Sequence, residues 1–189
     1  MARKTKINVD EIDLQKIRLT ALDLQLRALK YQAQALRSIG TEHTCGLDLG
    51  CGRYFTHLDI SVETFVKYVK EFLTVADTMP PEEAQAWLGK MAAWKTTLTA
   101  EAQDEQICQS AKAFSRVKAD IAGRPVTPVD DIPLDFSAQE VKAHSFCLSA
   151  EIAQLNTFAM QVAATCNLGL EIALTAAAEA GKKRQATIG

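Results

Sequence analysis

Two histidines and two cysteines fall within fifteen residues of one another, His43, Cys45, Cys51 and His57, in the spacing H-x-C-x5-C-x5-H. Imidazole nitrogen and thiolate sulfur are the donors that Zn²⁺ prefers, and four of them on one short segment suffice for a tetrahedral site. These four residues are the candidate metal ligands, with zinc as the ion. They lack the two-residue cysteine spacing that marks a zinc knuckle, and free thiols packed under a loop would use the same residues without a metal.

The same stretch contains Leu47-Asp48-Leu49-Gly50-Cys51-Gly52. This string resembles the first motif of Rossmann-type S-adenosylmethionine methyltransferases, in which a strand ends in an acidic residue and a glycine loop passes under the cofactor. The resemblance covers six residues and makes Asp48 the position to test. It departs from the family where a further glycine is expected, because this chain has Tyr54. The family's alternating strands and helices are also missing downstream, where helical patterning runs on from Ser61. A glycine turn is therefore the expectation, with a degenerate S-adenosylmethionine-type loop as the alternative.

Elsewhere the chemistry is sparse. There is no G-x-S-x-G, and Glu140 and His144 stand four apart with no second pair to complete a di-iron set. His144 on an apolar stripe reads as a hydrogen-bonded core histidine. Cys108, Cys147 and Cys166 lie in helical patterns and read as small core residues. No residue is assigned a catalytic role.

The elements that would position these residues are helical. Hydrophobic residues make up 48% of the 189 and aromatic ones only 6%, a mixture rich in Ala and Leu that favours helices over strands. Residues 9–39 form the first predicted helix. In it Leu19, Leu22, Leu26, Leu29, Ala33 and Leu36 recur at alternating steps of three and four, a seam that continues upstream to Ile12 past a break at Gln15. Leu14, Ile17 and Leu24 fall outside that seam, so the apolar face is wider than one partner helix requires. Residues 40–60 carry four of the nine glycines and predict a Gly-rich loop or a small β-hairpin. Helical pattern resumes at Ser61 and runs to residue 123, broken near 78–81 by Pro80-Pro81 with a further weak point at Thr96–Thr99. Trp87 and Trp94, one heptad apart, read as packing anchors. Residues 124–137 are a Pro-rich connector. Ser137-Ala-Gln-Glu140 is a capping box that opens a last helix over 138–180. Gly181 and the cations after it are expected to end that helix, leaving 181–189 as a tail.

The fold expectation is thus all-α: an elongated bundle of three to four long helices with the insert at 40–60, in one domain. Small residues along the last helix bury little area each, so a lone copy is expected to be weakly held and to meet other subunits. The functional expectation is a non-enzymatic structural or assembly protein that forms a homo-oligomer or docks on a larger complex, for instance a virion or secretion-type particle. Two alternatives remain: a small enzyme or metal-binding module centred on residues 43–59, and a helical nucleic-acid-binding regulator. A net charge of −2 argues against the second of these, although residues 1–39 hold eight basic residues against four acidic ones. The polar N-terminal segment lacks a secretory signal pattern, and five cysteines are an odd number without a repeating spacing, so cytoplasmic synthesis is expected. Gln161, Asn167 and Glu171 interrupt the most apolar stretch, Thr157–Thr175, which reads as a bundle helix rather than a membrane span.

Overall fold

The computed structural model describes the backbone of residues 13–39, 58–121 and 138–188, and within them the side chains of 13–36, 58–104, 106 and 152–187. Four helices make up this structure: α1 (Leu14–Ile39), α2 (Leu58–Val75), α3 (Pro81–Ile121) and α4 (Ala138–Ile188). Among the described residues there is no strand, and the all-α expectation holds.

Local signals set the helix ends. The Asp13 carboxylate accepts a hydrogen bond from the Lys16 backbone N–H at 3.0 Å, an N-cap that starts α1 at Leu14, while residues 9–12 of the expected first helix lie outside the described residues. The corner between α2 and α3 closes with the Met79 N–H on the Val75 carbonyl at 3.0 Å. Pro81 then occupies the first position of α3, where its missing N–H costs nothing, and Glu82 and Glu83 face the positive end of the helix dipole.

Side-chain pairs fix the directions. Lys30 meets Glu63 at 3.0 Å and Lys70 meets Asp23 at 2.6 Å, so α1 and α2 are antiparallel. Arg18 donates to the Thr175 hydroxyl at 3.1 Å and Gln32 to the Gln154 carbonyl at 3.2 Å, so α1 also runs antiparallel to α4. Phe65 packs on Trp94 and Phe72 on Trp87, which makes α2 and α3 antiparallel. The result is an up-down-up-down bundle in which α4 packs against all three other helices and α1 and α3 touch least. At about 1.5 Å per residue, α4 with its 51 residues is about 76 Å long.

The core is one continuous cluster. The predicted α1 seam faces it, with Leu22, Leu29, Ala33 and Leu36 wholly buried and Leu19 and Leu26 partly so. Val62, Phe65, Val66, Val69 and Phe72 supply the α2 face, and Ala84, Met91 and Leu98 the α3 face. Trp87 and Trp94 serve as the expected anchors. Tyr68 stacks on Trp87 with ring centres 4.3 Å apart, and Phe65 meets Trp94 edge-on at 5.9 Å. Across the diagonal, α2 approaches α4 where Gly169 leaves room for the Phe65 ring.

Three expectations need correction. Helix α2 begins at Leu58, so Leu58, Asp59 and Ile60 are helical rather than part of a hairpin strand, because Leu58 and Val62 bury the same face. Thr96–Thr99 does not interrupt α3; the Thr96 and Thr97 hydroxyls bond back to the Ala92 and Ala93 carbonyls within a continuous helix. Helix α4 passes through Gly181 to Ile188 rather than ending at Ala180. Lys183 pairs with Asp77 at 2.8 Å and Arg184 donates to the Met79 carbonyl at 2.6 Å, and these contacts with the α2–α3 corner carry the helix past its glycine. Residues 40–57 and the connector at 124–137 lie outside the described residues.

Cys166 occupies the core as a small apolar residue. Burial pushes its thiol up to about 12 against a weak opposing pull from Lys95. A thiol that stays protonated and enclosed is no nucleophile at neutral pH. In the folded protein at pH 8, Cys166 should therefore resist iodoacetamide and should react fully once urea unfolds the chain, as peptide mass spectrometry reads directly. The same shift makes folding stability fall as pH rises above about 9, since the unfolded thiol ionises before the folded one.

Candidate functional site

The four candidate zinc ligands, His43, Cys45, Cys51 and His57, lie outside the described residues, as does Asp48. Among the described residues no group of three or more His, Cys, Asp and Glu side chains is placed to hold a metal ion. The backbone at Cys108, Glu140, His144 and Cys147 is helical, and their side chains are not described.

What the described structure presents instead is surface. Helix α1 is amphipathic in two senses. Its inner face fills the core. On its outer face Leu14, Ile17, Leu24 and Tyr31 remain 64%, 54%, 58% and 72% exposed. Sequence reasoning had singled out Leu14, Ile17 and Leu24 as apolar residues beyond the core seam. It missed Tyr31, whose signal is a spacing of seven from Leu24 and fourteen from Ile17. On α4, Met160 and Leu174 are likewise exposed, on the side turned away from the core.

Beside this face lies a basin of about 550 Å³ lined by Arg27, Lys30, Tyr31, Gln34 and Asp59. Lys30 is engaged with Glu63, which also meets Lys67 at 3.5 Å. The hydrogen bond from Lys30 holds the Glu63 carboxyl below its ordinary range, with Lys67 adding to the effect. Both charges of the Lys30–Glu63 pair touch water, so the pair orients α1 on α2 without contributing much stability. The basin offers two cations, an amide, a phenol and the Asp59 carboxylate. Among the described residues it holds no paired nucleophile and base of the kind that acyl or phosphoryl transfer requires.

A second groove, about 470 Å³, runs between the start of α3 and the end of α4 along Ala84, Leu88, Ala177 and Gly181, with Arg184 at its edge. Arg184 is committed to the Met79 carbonyl, so this groove is a seam of the bundle in which the cation among its described lining residues is already in use. Within α4, Ile152–Thr187 is long and apolar enough to cross a membrane by length and composition, and 44% of its most apolar window is buried against the other helices.

Comparison with known proteins returned no matching family model, no matching curated protein and no matching solved structure.

Proposed function

We propose that this chain is a non-enzymatic helical assembly protein, which self-associates or docks on a larger complex such as a virion or secretion-type particle. The observation that supports this reading is the outer face of α1. The bundle completes its core with one side of that helix and leaves four large apolar side chains on the other more than half exposed. Scattered single exposures are ordinary on a monomer, but a set aligned along one helix is the composition of a surface that is covered in use. On its inner side α1 is seated on α2 and α4, with Leu22, Leu29, Ala33 and Leu36 wholly buried.

Sedimentation velocity across a concentration series tests this. The expected result is a concentration-dependent mass above the 20.6 kDa of one chain at tens of micromolar. A strict monomer over that range, from a chain that also emerges without companions when purified gently from its own cells, overturns the reading.

A further inference from the structure

The outer face of α1 has a finer order than exposure alone. Leu14, Ile17, Ala21, Leu24, Ala28 and Tyr31 follow one another at steps of three, four, three, four and three. This is a second heptad seam, as regular as the buried one that runs through Leu22 and Leu29 but turned away from it. Five of its six residues are exposed and Ala21 is half-buried. An apolar repeat of 3.5 residues fits another helix winding beside it, because only a left-handed pair keeps such a seam in contact over three turns or more.

We infer that this seam binds the same seam of a second copy, antiparallel, with Leu14 opposite the partner's Tyr31, Ile17 opposite the partner's Ala28 and Ala21 opposite the partner's Leu24. The inference rests on the assembly reading and names its partner. Side-chain size selects the direction. Read forward the seam is Leu, Ile, Ala, Leu, Ala, Tyr, and read backward it sets an alanine opposite Ile17 and Leu24 and a large side chain opposite both alanines. Large then packs into small in four of the six layers, and the two end layers pair Leu with Tyr. A parallel pair would stack Ala on Ala twice, leaving voids, and would crowd Tyr on Tyr.

Charge agrees. In the antiparallel register Arg27 lies beside the partner's Thr20 and Arg18 beside the partner's Gln25, so no two cations meet across the seam. The contact is isologous and closes at two copies. A ribbon three heptads long buries on the order of 1,000 Å² over both copies, the small end of specific interfaces.

The test uses the full chain. Wild type should dimerise at tens of micromolar, and Leu24→Glu should raise the dimer dissociation constant at least tenfold with unchanged helicity, since Leu24 is mostly exposed. Ala28→Leu discriminates direction: it should weaken the antiparallel dimer and would tighten a parallel one. Mixing Leu14→Cys and Tyr31→Cys chains under mild oxidation should give a 14–31 link between chains by peptide mass spectrometry, and each variant alone should give no 14–14 or 31–31 link. Self-links at 14 and 31 overturn the antiparallel register. A dimer indifferent to Leu24→Glu and Ala28→Leu overturns the seam while leaving the assembly reading standing, as does a chain that is monomeric alone yet purifies with different proteins. A chain that is monomeric and solitary overturns both.

Discussion

Phe65→Ala should lower the free energy of unfolding by about 3–5 kcal/mol, the range for deleting a buried aromatic ring that its surroundings cannot close over. Contacts from two other helices converge on this side chain. It is wholly buried, its ring meets Trp94 of α3 edge-on at an interplanar angle of 88°, and its Cε1 atom fills the space that Gly169 of α4 leaves open. Removing it empties the place where α2, α3 and α4 meet. Domains of this size are stable by about 5–15 kcal/mol, so the loss is a fifth of the total or more. Urea unfolding followed by far-ultraviolet circular dichroism reads the change from the shift in midpoint at constant slope. A loss below about 1.5 kcal/mol would mean that the three helices are not keyed through this ring.

The second large effect comes from the other side of the same contact. A Cβ at Gly169 would stand 2.9 Å from Phe65 Cε1 and 3.4 Å from Val69 Cγ2. The ring cannot step aside, because Trp94 and the core enclose it. Gly169→Leu should therefore push α2 from α4 and cost about 2–3 kcal/mol, the ordinary penalty of overpacking, despite the better helix propensity of leucine. Gly169→Ala sets a gain of about 1 kcal/mol in propensity against the close approach to Phe65. In a Phe65→Leu background the ring edge is gone, and there Gly169→Ala should stabilise by about that 1 kcal/mol. The double-mutant cycle measures the coupling, and simple additivity of the two substitutions would refute the close approach.

How much of this was legible beforehand depends on how many neighbours a helix has. Helices α1 and α2 each bury one stripe, and the spacing of Leu22, Leu29, Ala33 and Leu36, or of Val62, Phe65, Val66 and Val69, names that stripe residue by residue. Helix α4 packs on three neighbours at once. The single stripe through Leu155, Val162, Cys166 and Ala173 leaves out Phe158, Ile172, Ala176 and Ala180, which are also buried. A single-face pattern is blind to an arc that wide. The end of α4 was misjudged for a related reason. Gly181 signals a stop only in a helix left to itself, and Asp77 and the Met79 carbonyl, about a hundred positions earlier, are not part of the local pattern. Of the surface proposed for assembly, Leu14, Ile17 and Leu24 were visible as surplus hydrophobic residues. Their continuation through Ala21, Ala28 and Tyr31 was not, because alanine is too common in helices to stand out until the burial of its neighbours shows which side it occupies.

The placement of α4 also bears on when this protein can mature. Of the four described helices, the one that touches all the others is made after the other three, and its Lys183 and Arg184 side chains reach back to the α2–α3 corner. Until α4 emerges, the nascent chain carries Phe65 and Val69 without the helix that packs on them, exposed to water or to other nascent chains. The bundle core can therefore close only once α4 has been made, and a chain stopping before Lys183 would lack both contacts to the α2–α3 corner.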